Sequence, residues 1–127
     1  MITVKDSFIL VEDSSLEPNF TKLGDLCLIP AVAQEWTFDC RGRILMVGFQ
    51  NHEAYDLTFK TGIVHFWSRS RNEIWKKGQT SGNILEVKEI FLDCDQDTLI
   101  YMVTASGPVC HTGKTDCFTR RALMYKK

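Results

Sequence analysis

Leu85-Glu86-Val87-Lys88-Glu89-Ile90-Phe91-Leu92-Asp93-Cys94-Asp95-Gln96-Asp97-Thr98-Leu99-Ile100-Tyr101-Met102-Val103 sets two apolar runs, rich in β-branched and aromatic residues, on either side of a short acidic cluster. Such runs read as strands, so residues 85–92 and 98–103 are expected to form a hairpin with the acidic motif at its turn. Residues 63–67 add another short strand. Residues 26–33 and 44–49 flank the turn-like Asp39-Cys40-Arg41-Gly42-Arg43 and suggest a second hairpin. Asn51 can cap a helix running to about Lys60, with Ala54, Leu57 and Thr58 on one face and Gly62 as its stop. Residues 68–83, with their glycines and small hydroxyl residues, are expected to be loop, as is the glycine-punctuated stretch 106–113. Five or six strands against one or two helices predict an α+β fold, a compact and mostly antiparallel β domain. Residues 1–25, broken by Pro18 and Gly24, read as an N-terminal extension with one short element at most, leaving 26–127 as the domain.

At 127 residues, 44% of them hydrophobic, the chain suits one domain with its own core and is too short for two ordinary ones. A formal charge of −1 and a pI near 6.3 provide no global field to hold duplex DNA or an acidic membrane surface, so phosphate recognition must be local. The N-terminus lacks the uninterrupted apolar stretch of a signal peptide, and no apolar run is long enough to span a bilayer. A cytoplasmic location is expected, with neither nucleic acid nor membrane as partner.

Cysteines stand at 27, 40, 94, 110 and 117, an odd number in a chain large enough to fold without disulfides, so reduced thiols are expected. Cys27, within Leu26-Cys27-Leu28-Ile29, reads as a small core residue, whereas Cys40 lies in a polar turn. Cys94, Cys110 and Cys117 share one stretch with three aspartates and His111, but their spacing matches no zinc-finger pattern. Three protein ligands with one exchangeable position is the arrangement of a catalytic zinc, whose bound water has its pKa lowered to roughly 7. Buried or incidental thiols are the competing reading. If Asp93-Cys94-Asp95-Gln96-Asp97 is extended, its carboxylates share one face and Cys94 takes the other, so hard oxygens could serve Mg²⁺ and a soft thiolate Zn²⁺. The bland alternative is a solvated acidic turn. An EF-hand is excluded, because the positions that need glycine and glutamate hold Thr98 and Thr104.

Trp67-Ser68-Arg69-Ser70-Arg71 and Trp75-Lys76-Lys77-Gly78-Gln79-Thr80-Ser81-Gly82 interleave aromatics, cations, hydroxyls and glycines. Arginine forks and glycine-freed N–H groups suit the phosphate of a small nucleotide, and a tryptophan can cover its ring. Stacking on single-stranded nucleic acid is the weaker alternative for a chain with one such patch. Tryptophans in a core and arginines on a solvated face are the reading without function.

Four blocks together identify a family: His65-Phe66-Trp67-Ser68-Arg69-Ser70-Arg71; Trp75-x-Lys77-Gly78-x-Thr80-Ser81-Gly82-Asn83; Asp93-Cys94-Asp95-x-Asp97; and Gly107-Pro108-x-Cys110-His111-Thr112-Gly113-x-x-x-Cys117-Phe118. In order and spacing they resemble the phosphoribosyl-AMP cyclohydrolases of histidine biosynthesis, over roughly residues 26–118. The resemblance implies hydrolysis of the N1–C6 bond of the purine ring and an intertwined homodimer. It further implies zinc shared between subunits, held by Cys94 of one chain and Cys110 and Cys117 of the other, with magnesium on Asp93, Asp95 and Asp97. From the cationic stretches, Trp67, Ser68, Arg69, Arg71, Lys77, Gln79, Thr80 and Ser81 are the candidate substrate contacts. His111 is the candidate for moving protons, since imidazole titrates near neutral pH, although orienting the loop is a competing role. The single-function form is expected. Gln79 stands where the family usually has glutamate, and Gln50 where methionine is common. The first change removes a carboxylate and keeps open a diverged paralogue acting on a related purine nucleotide; a zinc-stabilised nucleic-acid-binding module is a separate alternative.

Overall fold

The computed structural model describes residues 3–5, 9–11 and 16–125. Strands β1 (Thr3–Lys5) and β2 (Ile9–Val11) pair antiparallel, so the N-terminal extension holds two short elements and not the single one expected. The main sheet is built from β3 (Ile29–Trp36), β4 (Arg41–Gln50), β7 (Leu85–Leu92) and β8 (Leu99–Ala105), in the order β4-β3-β8-β7. Alternation explains β3: Ile29, Ala31 and Ala33 are buried while the residues between them are only partly covered. Two hairpins, β3–β4 and β7–β8, form as the apolar runs predict, the first with two irregularities in register and the second with one. They are joined through β3 and β8, which pair in parallel, from Ala31 opposite Leu99 to Glu35 opposite Val103. The sheet is therefore mixed, because the chain leaves β4 at one edge and, after a long crossover, returns at the opposite edge as β7, which sets β8 parallel to β3 on the flank that β4 does not cover.

That crossover carries helix α1 (His52–Thr61) and strands β5 (His65–Ser68) and β6 (Glu73–Lys76), which pair antiparallel. The Asn51 side chain accepts the Ala54 N–H at 2.9 Å, and Gly62 ends the helix in the left-handed region, donating to Thr58. Ala54, Tyr55, Thr58 and Phe59 form the buried face. The expected loop 68–83 is corrected by β6, where Trp75 lies opposite Phe66 with ring centroids 5.2 Å apart. Phe66 is itself fully buried over Gly48, where any Cβ would collide with the ring.

Cys27 is exposed, with a positive φ of 55°, and is not a core residue, because β3 begins two residues after it. Cys40 lies exposed in the β3–β4 turn, as read from the sequence. At the centre of the core the Tyr101 hydroxyl donates to Gln50 Oε1 at 2.6 Å, while Gln50 Nε2 donates to Thr58 Oγ1 at 3.1 Å and to the His65 carbonyl at 2.7 Å. A buried glutamine is tolerated because each polar atom finds a partner.

Candidate active site

Two loops face one another across a cleft of about 500 Å³. One, residues 107–117, is a narrow turn in which Gly113 donates to the Cys110 carbonyl, Cys110 to that of Lys114 and Val109 to that of Thr115. Gly113 has a φ of 87°, a conformation natural to glycine. The far end is pinned to the sheet, since Cys117 N–H donates to the Leu45 carbonyl at 2.9 Å. Asp116 accepts the Phe118 N–H and pairs with Arg43 at 3.4 Å.

The other wall is the turn after β6. Gly82 donates to the Gly78 carbonyl at 2.7 Å, and Gln79 Oε1 accepts the Lys76 N–H at 3.3 Å. Asn83 ties the walls together by donating its Nδ2 to the Pro108 carbonyl at 3.1 Å. Gly78 and Gly107 both press on Asn83, the first on its backbone and the second on its side-chain amide, with no room for a Cβ at either.

Arg71, Lys77, Gln79, Thr80 and Ser81 line this cleft together with Cys110 and His111. Trp67, Ser68 and Arg69 do not. The Arg69 guanidinium lies 4.0 Å from the centre of the Phe49 ring, and Ser68 Oγ accepts the Arg71 N–H, shaping the turn that presents Arg71. Trp75, Lys76 and Asn83 line the cleft without having been singled out for a role from sequence, although Trp75 and Asn83 lie within a quoted block.

Cys110 and Cys117 face one another. The Thr112 hydroxyl, donating to Cys110 Sγ at 3.1 Å, holds that thiol below its ordinary pKa, helped by the neighbouring Cys117 thiol and by nearby Lys77. Cys117 is pushed the other way by burial and by the neighbouring Cys110 sulfur. A pair with one thiol readied to ionise is the donor chemistry that suits a soft metal ion. Cys94 is exposed and does not join them within one chain: among the described residues the one cluster of three or more potential metal ligands is Asp93, Asp95 and Asp97.

Those aspartates converge, each offering an oxygen within 4.8 Å of the others, but not by the expected alternation. The segment is a turn, with Gln96 at a φ of 65°. Asp93 Oδ1 accepts the N–H groups of Asp97 and Thr98 at 2.9 and 3.1 Å, curling the chain so that the carboxylates meet. Burial works to raise the Asp93 pKa, but donors from Asp97 and Thr98 outweigh it and hold it low; Asp97 is raised by the Asp93 carboxyl beside it. This crowding of negative charge fits a hard cation. Lys22 reaches into the cluster, 3.4 Å from Asp95 Oδ2 and 3.5 Å from Asp97 Oδ2. Sequence spacing gives no sign of that contact, because the residues are more than seventy positions apart.

A model of the phosphoribosyl-AMP cyclohydrolase family matches residues 46–119, more than half of the chain and all of both cleft walls. The chain belongs to the phosphoribosyl-AMP cyclohydrolase family. The cyclohydrolase of Cenarchaeum symbiosum is 46% identical over 102 residues, covering 80% of this chain and 90% of its own. That of Listeria innocua is 50% identical over 91 residues, covering 72% of this chain and 84% of its own. The histidine biosynthesis bifunctional protein of Photobacterium profundum is 50% identical over 95 residues, which are 75% of this chain and 44% of that longer protein. This cyclohydrolase is thus an enzyme of histidine biosynthesis that acts on a small nucleotide, as the four sequence blocks implied.

Proposed function

We propose that the enzyme hydrolyses the N1–C6 bond of the purine ring of phosphoribosyl-AMP in this cleft, as a homodimer whose zinc sites are shared between subunits. The observation that carries the reading is the meeting, in one cleft, of the cationic turn with Cys110 and His111. A phosphoribosyl group on N1 makes C6 amidinium-like and open to attack by water. Arg71 and Lys77 offer positive charge to the phosphates, and Thr80 and Ser81 add hydroxyl donors. Outside the cleft lining, Ser68 shapes the turn that presents Arg71, Arg69 stacks on Phe49 and Trp67 lies opposite Ile74 in the β5–β6 pair. His111, exposed on the opposite wall, would take the proton of the attacking water and protonate N1 as it leaves.

Cys110 and Cys117, with Cys94 of the partner subunit, would hold the zinc ion. When bound, it supplies Lewis acidity that activates water at neutral pH. Asp93, Asp95 and Asp97 would hold magnesium. The dimer is supported by the exposure of Cys94, which does not cluster with the other two thiols within one chain, and by exposed apolar side chains that follow the thiol loop in sequence, among them Phe118, Leu123, Met124 and Tyr125. A cytoplasmic location belongs to the same reading, and no described helix is long and apolar enough to cross a membrane.

Incubating the purified protein with phosphoribosyl-AMP and following ultraviolet absorbance tests this directly. Ring opening that stops with a chelator and returns with zinc is expected. Full turnover and full zinc content in a Cys110→Ser variant would overturn the ligand assignment.

A further inference from the structure

We propose that Lys22 is a built-in cation that competes with magnesium for Asp95 and Asp97, so that the N-terminal strap sets how tightly the metal is held. The inference rests on reading the aspartate triad as a magnesium site. The lysine ammonium donates to the Asp95 carbonyl at 2.7 Å and pairs with Oδ2 of both carboxylates. Asp93 has one oxygen committed to backbone N–H groups, whereas Asp95 and Asp97 have Oδ2 occupied by Lys22 and Oδ1 taking long side-chain contacts, from Cys94 Sγ at 3.9 Å and Thr98 Oγ1 at 3.5 Å.

The lysine is delivered by a fastened segment. Asn19 N–H donates to the Gln96 carbonyl at 2.7 Å, Gln96 Nε2 donates to the Glu17 carbonyl at 2.9 Å, and Phe20 is buried against the rings of His52 and Tyr55. Residues 17–22 are thereby strapped across the acidic turn. A divalent ion ligated by Asp95 and Asp97 draws on the same two carboxylates that the ammonium holds, and two cations at that separation repel. Metal binding must therefore displace Lys22, and by linkage the lysine weakens the metal by the same factor as the metal loosens the lysine.

Mg²⁺ titration followed by calorimetry, on wild type, K22M, K22R and D97N, tests this without reference to turnover. Two ion pairs, one of them to the partly buried Asp97, and one charge-assisted hydrogen bond predict that K22M binds Mg²⁺ about tenfold more tightly. K22R should stay near wild type and D97N should lose binding. In the reciprocal measurement, mass spectrometry should find tryptic cleavage after Lys22 of wild type faster with Mg²⁺ than without. Equal or weaker Mg²⁺ binding by K22M, with binding still lost in D97N, overturns the competition and leaves the metal reading standing. No binding even to K22M at millimolar Mg²⁺ overturns both.

Discussion

Asn83 joins the two walls of the cleft with one amide, so its removal should act on turnover more than on folding. Asn83→Ala is expected to cost about 1 kcal/mol in urea unfolding, the net value of one partly exposed hydrogen bond. It should also lower kcat/KM at least tenfold, roughly, since catalysis falls steeply when positioned groups drift apart. Gly107→Ala drives a methyl into the same amide and should reproduce the kinetic defect. At the thiol pair, Thr112→Val removes the donor that favours the Cys110 thiolate. The Cys110 pKa should rise, and alkylation of metal-free protein by iodoacetamide near neutral pH should slow, with the rate regained at higher pH; an unchanged rate–pH profile would count against that role of Thr112. Chemistry-bearing residue types were legible here because sulfur, carboxylate and guanidinium each imply a partner class. Lys22 was not, since its meaning comes entirely from residues far along the chain.

Elements bounded by local signals were the legible ones. Helix α1 starts and stops where Asn51 and Gly62 place it, because a side-chain acceptor and a left-handed glycine act within one turn of their own position. Asn51→Ala should therefore cost about 1 kcal/mol and lower the thermal midpoint by a few degrees, measurable by circular dichroism. Strand β6 was hidden: Glu73-Ile74-Trp75-Lys76 is short and lies among turn residues, and what makes it a strand is its pairing with β5 and the stacking of Trp75 on Phe66. The acidic motif was misjudged for a related reason. Alternation treats a backbone as extended, whereas Asp93 captures two amides downstream of it and bends the chain. The parallel contact of β3 with β8 leaves no local trace at all.

For the whole molecule, the buried polar centre fixes the pH range of stability. Burial raises the Tyr101 hydroxyl well above the ordinary tyrosine value, so its contribution is full below about pH 10 and is lost as pH climbs beyond the unfolded-state value. His65 behaves oppositely: burial lowers its pKa, so its contribution is full above about pH 6.5 and fades as pH falls through the folded value. Urea unfolding across pH should show a plateau between these limits. Tyr101→Phe should lower the plateau by about 1–3 kcal/mol, because Gln50 Oε1 loses its donor, and flatten the alkaline decline. The main sheet has a consequence for synthesis. Residues 37–98 must leave the ribosome before β8 can settle beside β3, so the nascent β3–β4 hairpin waits with one flank unsatisfied while most of the cleft is still being translated. A chain stalled short of residue 99 would expose Ile29 and its neighbours to other nascent copies, and chaperone demand should peak in that interval.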